Sequence, residues 1–339
     1  MSINKPITRM LKGFVILNIE LEIRTGLLIR MPISVQAYRI GGADAYPMIT
    51  KKKYRLDQSN EVELEVPYIP GSSFKGRMRG LLELAFGKRL YTTDYKIWYH
   101  VRNLSAKAMS IDEFVSDVEE RCLVDELFGY AAVNFDQIRS EYYEKFVEEL
   151  KKKGYNEAKA KEEAKSIAEN STYNVFINLA QTRLLVDDFY PAEDYIKNVR
   201  AKSIGDFLEE KPENRIDRVT AAADPRDIVR VKPSVRFGGR ITLLIFDNDS
   251  DMIKGYLTTI ATGFKLIEET YLGSSGSRGY GRVKFVGIDV NVSKVQIENN
   301  VPKLVLPEKE GLRRKYMSVD EFEENVENLA EEIKKYLFG

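Results

Sequence analysis

An alternating run of apolar residues near the N-terminus defines the first element of the fold. Residues 14–24, FVILNIELEIR, are apolar at every second position from Val15 to Ile23. A period of two residues predicts a β-strand with one face buried. The core therefore begins with a strand that belongs to a half-buried sheet.

The remaining core elements follow from the apolar spacing further along the chain. They are a helix that begins at Gly71-Ser72-Ser73 with a serine N-cap and ends at Gly87, strand character over 173–189, a strand at 241–245, a helix over 253–271, and a strand at 283–290 with an irregular step near Gly287. The order β, α, β, β, α, β predicts an α+β fold, a ferredoxin-like sandwich with helices on one face of an antiparallel sheet. Many unrelated functions use this layout, so it names none of them.

Two long segments interrupt this core. Residues 88–170 predict an inserted, mainly helical subdomain whose late charged helix breaks at Gly154. Residues 192–238 are polar, basic and weakly periodic, which is typical of an extended arm or hairpin. The expected domains are a discontinuous core over 1–87 and 171–300 that includes the arm, the insertion at 88–170, and a C-terminal helical extension over 301–339.

The composition excludes several classes of protein. The single cysteine, Cys122, cannot form an internal disulfide, and with the single histidine, His100, it leaves too few ligands for a structural zinc site. Catalysis by a Ser-His-Asp or Cys-His arrangement would have to run through His100 alone. The 52 basic and 52 acidic side chains cancel, so net charge favours no partner. No run of about 18 apolar residues occurs, and we expect a soluble, cytoplasmic protein without a membrane partner.

Small and basic residues surround the start of the first predicted helix, PGSSFKGRMR at 70–79. Unpaired amide groups and the positive end of a helix dipole suit a phosphate, and Lys75 and Arg79 add positive charge on one side of the helix. Gly76 is costly inside a helix, which indicates that something approaches the backbone there. An ordinary capped amphipathic helix with a basic outer face explains the same residues equally well.

A glycine-rich loop, LGSSGSRGYGR at 272–282, lies between the second predicted helix and the last strand. It exposes backbone amides, while Arg278, Arg282 and Tyr280 can pair with phosphates or stack on a base. No Gly-Lys-Ser/Thr follows, and the loop precedes a strand, so a Walker loop for ATP and a dinucleotide site for NAD are both excluded. The alternative interpretation is a flexible connection.

The arm and one aspartate complete the set of candidates. Residues 211–240 hold eight basic and four acidic side chains. This segment is either a solvated loop or an element that grips nucleic acid or a neighbouring subunit. Asp44 follows Gly41 and Gly42. A carboxylate in such a loop can coordinate a divalent metal, although an aspartate after glycines is usually a turn residue.

These four features, in this order, resemble the RAMP superfamily of CRISPR-associated proteins, and above all the repeated backbone subunit of type III (Csm or Cmr) effector complexes. The resemblance rests on IPGSSFKGRMR at 69–79, NRIDRVT at 214–220, ADPR at 223–226 and GSSGSRGYG at 273–281. It covers residues 14–293 except the insertion at 88–170. It implies a modified RRM-like palm with a protruding thumb, stacking along a CRISPR RNA. The implied partners are that RNA, target RNA, other RAMP subunits and the large subunit of the complex.

The resemblance also implies roles for individual residues. The implied guide contacts are Ser72, Ser73, Lys75, Arg77, Arg79, Gly276, Ser277, Arg278 and Tyr280, and the implied thumb residues facing the target are Arg215, Arg218, Thr220 and Arg226. Because Asp44 matches the Gly-Gly-x-Asp context of the family's catalytic aspartate, the resemblance implies that Asp44 is the catalytic, metal-binding residue.

The implied activity is cleavage of target RNA with Mg²⁺ or Mn²⁺ and without an organic cofactor. A wedge that splays the target would align a ribose 2′-hydroxyl with its own phosphate, while Asp44 holds the metal or assists deprotonation. One alternative is a catalytically silent structural paralogue that uses the same surfaces. A less favoured alternative is a CRISPR RNA processing endonuclease, because such enzymes often use histidine and this chain offers His100 alone.

Overall fold

A computed structural model describes residues 8–32, 43–55, 61–92, 94–100, 110–130, 134–179, 182–306 and 312–339. Its strands are β1 (Leu11–Ile23), β2 (Ile49–Arg55), β3 (Glu61–Pro67), β4 (Leu184–Val186), β5 (Tyr190–Pro191), β6 (Leu208–Ile216), β7 (Ala223–Val231), β8 (Arg236–Phe246), β9 (Val283–Glu298), β10 (Val301–Val305) and β11 (Arg313–Tyr316). Its α-helices are α1 (Gly71–Ala85), α2 (Ile111–Glu119), α3 (Leu123–Phe128), α4 (Phe135–Lys152), α5 (Glu157–Asn178), α6 (Glu193–Val199), α7 (Ile253–Glu269) and α8 (Val319–Phe338).

The main sheet has the strand order β10-β9-β1-β8-β4, with β11 paired to β9 and β5 paired to β8. Four of its strands are those of the predicted core: β1 is the first along the chain, β4 the second, β8 the third and β9 the fourth. In the sheet they lie in the order β9-β1-β8-β4. Helix α1 lies between the first and second of them along the chain, and α7 between the third and fourth. This arrangement confirms the ferredoxin-like α+β prediction. The irregular step near Gly287 is also confirmed, because the β1–β9 register shifts between Glu20 and Leu21.

Alternate residues of β1 form the base of the core, as their spacing predicts. Val15, Leu17, Ile19, Leu21 and Ile23 are all buried. Aromatic side chains pack above them. The ring centroids of Phe264 and Phe285 are 4.6 Å apart and those of Phe74 and Phe189 are 4.8 Å apart. Such pairs contribute about 0.5–1.5 kcal/mol each beyond their burial, so this cluster fixes α1 and α7 against the sheet.

The chain divides into two compact units. One comprises 1–12, 83–184 and 244–250, and the other comprises 13–82, 185–243 and 251–339. The expected insertion at 88–170 falls within the first unit. The arm falls within the second, where β6 and β7 pair antiparallel as a hairpin. We call residues 208–231 the thumb hairpin.

One secondary-structure prediction is wrong. Residues 173–178 belong to helix α5 and not to a strand. The helix extends this far because Ala168, Thr172 and Val175 follow a helical spacing and are buried on one face. Strand structure begins only at Leu184. The predicted break at Gly154 is confirmed, since this glycine has a φ of 89° between α4 and α5.

The C-terminal extension packs as an amphipathic helix. Helix α8 buries Phe322, Val326 and Ile333, and its acidic side chains form ion pairs, including that of Glu332 with Arg314 at 3.2 Å.

Within the described ranges, no helix is both long and apolar enough to cross a membrane.

Candidate nucleic-acid interface

Helix α1 starts against a segment that is remote in the sequence. The amide of Gly71 donates to Asp188 Oδ1 at 2.7 Å. A Cβ at Gly71 would collide with the carbonyl oxygen of Val186, so the close approach requires glycine. Ser72 and Ser73 consequently lie inside the first turn, and the prediction of a serine N-cap is wrong. The remote carboxylate of Asp188 takes over that role.

The first turns of α1 present positive charge beside bare backbone. Burial, together with the charge of Arg79, lowers the pKa of Lys75 to about 8. A group bearing negative charge nearby would favour the charged form and raise this pKa again. A Cβ at Gly76 would meet nothing within 4 Å, and Gly76 is exposed, so a ligand can reach the helix backbone there.

An aromatic side chain that sequence reasoning missed joins the two predicted binding motifs. The guanidinium of Arg77 lies 4.1 Å from the ring centroid of Tyr271, and Arg77 Nε donates to the Tyr271 carbonyl at 2.9 Å. On the same ring, a Cβ at Gly276 would collide with Tyr271. Tyr271 therefore brings α1 and the glycine-rich loop into one surface. Its position just before that loop was the available sequence signal.

The tip of the glycine-rich loop is exposed and held by a local contact. Ser277 and Arg278 are exposed, and Arg278 Nη2 donates to Ser275 Oγ at 2.6 Å. Ser275 and Gly279 have φ values of 62° and 82°, a left-handed conformation that turns the chain sharply. The loop tip thus has the accessibility that the predicted guide contacts require.

Two members of this loop lie elsewhere than expected. Tyr280 is 0% exposed, and its hydroxyl donates to Glu213 Oε1 at 2.6 Å. Its ring is therefore inaccessible to a base, and the expectation of stacking does not fit this placement. Arg282 Nη1 donates to the Glu268 carbonyl at 3.2 Å and also to the Glu269 carbonyl. The Arg282 side chain thereby caps the C-terminal end of α7. The local amphipathic pattern of the sequence did not indicate that Tyr280 would bond to Glu213 or Arg282 to the end of α7.

The predicted thumb residues lie at the exposed end of the thumb hairpin. Arg215 pairs with Asp224 at 2.8 Å, and Thr220 Oγ1 donates to Asp217 Oδ1 at 2.9 Å. Arg218 and Arg226 are also exposed. Asp217 organises the tip by accepting further bonds from the backbone amides of residues 219 and 220. The adjacent Val219 is 93% exposed, so this tip presents an apolar side chain among arginines.

Asp44 is exposed and held against the thumb hairpin. Its amide donates to the Asp227 carbonyl at 2.8 Å, and its Oδ2 accepts from the Asp227 amide at 3.0 Å. Gly41 and Gly42, which gave the motif its context, lie outside the described residues. The aspartate is thus fixed at the hairpin by its own backbone and side chain.

The donor set at Asp44 fits a hard divalent cation. Mg²⁺ is commonly bound by one or two carboxylates together with substrate phosphates and water. One exposed carboxylate on an ordered backbone meets the protein's share of that requirement.

The single histidine lies in a different cluster, in the unit that contains the insertion. His100 is 2% exposed, with Nε2 at 3.0 Å from Asp117 and 3.2 Å from Asp125. Burial lowers its pKa, but hydrogen bonds to these carboxylates outweigh that effect and raise it to about 12. Cys122 Sγ lies 3.8 Å from Nε2, and Lys88 Nζ lies 3.2 Å from Asp117. A buried imidazole held between two carboxylates is poorly placed to act as a general base on a bound substrate.

Comparison with known proteins gives consistent matches. The profile of the RAMP superfamily matches residues 38–284. A Csm3 endoribonuclease of the CRISPR system of Methanothermobacter thermautotrophicus is 28% identical over 289 residues, which covers 85% of this chain and 89% of that protein. The Csm3 endoribonuclease of Methanocaldococcus jannaschii is 28% identical over 81% of this chain and 79% of that protein.

Solved structures with similarity to this chain carry related names. Methanopyrus kandleri Csm3 aligns with a TM-score of 0.43 and 17% identity, covering 95% of this chain and 98% of that one. A chain of a Csm3–Csm4 subcomplex from a type III-A interference complex aligns with a TM-score of 0.39 and 18% identity, covering 94% and 97%.

Proposed function

The chain belongs to the RAMP superfamily, and from this membership we propose that it is a CRISPR RNA-binding backbone subunit of a type III effector complex that cleaves bound target RNA. Two relatives that the chain matches over 79% or more of their length are named as Csm3 endoribonucleases. The proposed partners are the guide RNA, target RNA, other RAMP subunits and the large subunit. The proposed location is the cytoplasm.

The observation that carries this proposal is the joining of two motifs into one surface. The start of α1 offers Ser72, Ser73, Lys75 and Arg79 beside bare backbone at Gly76, and the exposed loop tip offers Ser277 and Arg278. Tyr271 links the two through Arg77 and Gly276. Amides and cations arranged in this way favour a ribose-phosphate backbone without reading its bases.

Target cleavage is assigned to Asp44 at the thumb hairpin. The exposed tip, with Val219 among arginines, is suited to splay a target strand so that a 2′-hydroxyl lies in line with its phosphate. A bound Mg²⁺ would stabilise negative charge developing on the phosphate. Asp44 would hold that ion or accept the hydroxyl proton. Its amide donates to the Asp227 carbonyl and its Oδ2 accepts from the Asp227 amide, and these two bonds keep the carboxylate oriented.

The second candidate function is a structural paralogue that binds RNA through the same surfaces but does not cleave it. The proposed binding surface, formed by α1 and the glycine-rich loop, does not include Asp44. The processing endonuclease is disfavoured. His100 is buried and pairs with Asp117 and Asp125, which removes it as a catalytic base.

Charge reversal on α1 tests RNA binding. The Lys75→Glu/Arg79→Glu variant is expected to lose at least about tenfold in affinity for single-stranded RNA at ~0.1 M salt. The slope of log affinity against log salt should become shallower by about 1.4, because two phosphate contacts are lost at ~0.7 per contact. Filter binding over a salt series with the full chain measures both quantities.

The matched control is Lys161→Glu/Lys165→Glu, two exposed lysines with the same four-residue spacing on α5. This variant is expected to keep the parent slope. Equal slopes for the α1 variant and the parent would refute the assignment of α1 to the guide path.

A further inference from the structure

A small buried cluster connects the three predicted functional segments. It comprises Leu28, Ala45, Ile228 and Tyr280, which are 0%, 5%, 4% and 0% exposed. Ala45 directly follows Asp44, Ile228 lies in the thumb hairpin, and Tyr280 lies in the glycine-rich loop. Side chains of the guide-binding, target-facing and catalytic segments therefore share one packed contact.

The segment that carries Asp44 depends on this contact. Ala45 forms a parallel bridge with Ile228, and its carbonyl accepts from the Val229 amide at 3.0 Å. Together with the bonds of Asp44 to Asp227, this bridge lays residues 44–45 along the outer edge of β7. The Tyr280 ring packs in the same cluster as Ala45 and so supports the segment that carries Asp44.

Tyr280 is itself firmly held. Its hydroxyl donates to Glu213 on β6 at 2.6 Å, and the Lys211 ammonium and Arg230 guanidinium lie 4.3 Å and 4.8 Å from its ring centroid. Glu213 offsets these positive charges, and Arg230 also pairs with Glu209 at 2.8 Å. The hydroxyl bond and the two cations near the ring hold the tyrosine in this position.

We propose that Tyr280 is a positioning residue for Asp44, which sets the aspartate against the thumb hairpin through Ala45 and Ile228. This inference rests on the proposed cleavage function. It assigns Tyr280 to catalytic geometry and not to base stacking. Displacing reacting groups by about 1 Å typically lowers the reaction rate about a hundredfold. Loss of the packing that positions residues 44–45 therefore affects the chemical step more than RNA binding.

The test is single-turnover target cleavage in the assembled complex, at saturating target and with Mg²⁺. Tyr280→Ala is expected to lower the cleavage rate constant about ten- to a hundredfold, with target affinity within about twofold of the parent. Tyr280→Phe keeps the ring in the cluster and should restore the rate to within about threefold. The control, Tyr155→Ala, removes a tyrosine whose ring lies 5.4 Å from Lys159 Nζ in the other unit, and should cleave normally.

Other outcomes overturn the inference. Parent-like cleavage by Tyr280→Ala would do so, as would a loss of RNA affinity with an unchanged rate constant, which would identify an RNA contact. If Tyr280→Ala does not assemble, Tyr280→Leu retains apolar volume without the aromatic ring, and it must then cleave more slowly than Tyr280→Phe. An Asp44→Ala arm separates the two claims. Its normal cleavage would refute the proposed function, and with it this inference, whereas an inactive Asp44→Ala beside a fully active Tyr280→Ala refutes the inference alone.

Discussion

Asp44→Ala is expected to lower the rate of target RNA cleavage at least about a hundredfold, with target affinity within about twofold of the parent. The carboxylate would hold the divalent cation or take up the hydroxyl proton, and either role contributes several kcal/mol to the transition state. Cleavage of labelled target by the assembled complex at saturating concentration measures the rate, and filter binding without Mg²⁺ measures affinity.

The control for this variant is Asp44→Asn. The amide oxygen of asparagine can still accept from the Asp227 amide, so the loop keeps its contact with the thumb hairpin while the negative charge is lost. The same loss of cleavage in both variants would identify the charge as the cause. Parent rates at the corresponding cut in both variants would instead favour the silent paralogue.

Asp249→Ala is expected to lower the free energy of unfolding by about 3–5 kcal/mol, as is typical when one partner of a buried ion pair is removed. Asp249 and Arg183 are both 0% exposed, and Arg183 donates to the two carboxylate oxygens at 2.8 and 2.9 Å. Arg121 adds a further bond at 2.7 Å. The truncation leaves Arg183 buried with its main countercharge removed. Urea unfolding followed by circular dichroism measures the effect.

The matched control is Asp251→Ala, which removes an exposed carboxylate that pairs with Lys334 at 2.7 Å. Its unfolding midpoint should coincide with that of the parent. Equal midpoints for Asp249→Ala and Asp251→Ala would contradict the assigned role of the buried pair.

The same pair has a defined pH dependence. Burial raises the pKa of Asp249, but the hydrogen bonds and charge of Arg183 outweigh that effect and hold the pKa below its usual range. The stabilisation is therefore fully present above the unfolded value of about 3.9 and is lost as pH falls through the lower folded value. Asp249 does not change stability between pH 5 and 7.

Short-range patterns predicted the core well because they report burial directly. The period of two in β1 and the three-four spacing of α7 identified the faces that the structure buries. The order of elements then determined the ferredoxin-like topology. The same reasoning ended α5 too early, because β-branched and aromatic residues at 173–177 resemble a strand until their helical packing partners are known.

The errors at the candidate site have a common physical cause. Asp188 caps α1 from 117 positions away, and Tyr271 stacks on Arg77 from 194 positions away. No local spacing records such contacts. Tyr280 was assigned to RNA because aromatic residues in glycine-rich loops suit stacking, yet Glu213 and the buried cluster hold it inward.

In the proposed function, the start of α1 and the tip of the glycine-rich loop form one path for a guide strand. Photo-crosslinking of a 4-thiouridine-containing guide RNA to the full chain, with mass-spectrometric mapping of the linked peptides, tests it most directly. We expect crosslinks in residues 72–79 and 274–279 that unlabelled RNA competes away. Crosslinks confined to α4 and α5, with neither of those segments labelled, would contradict it.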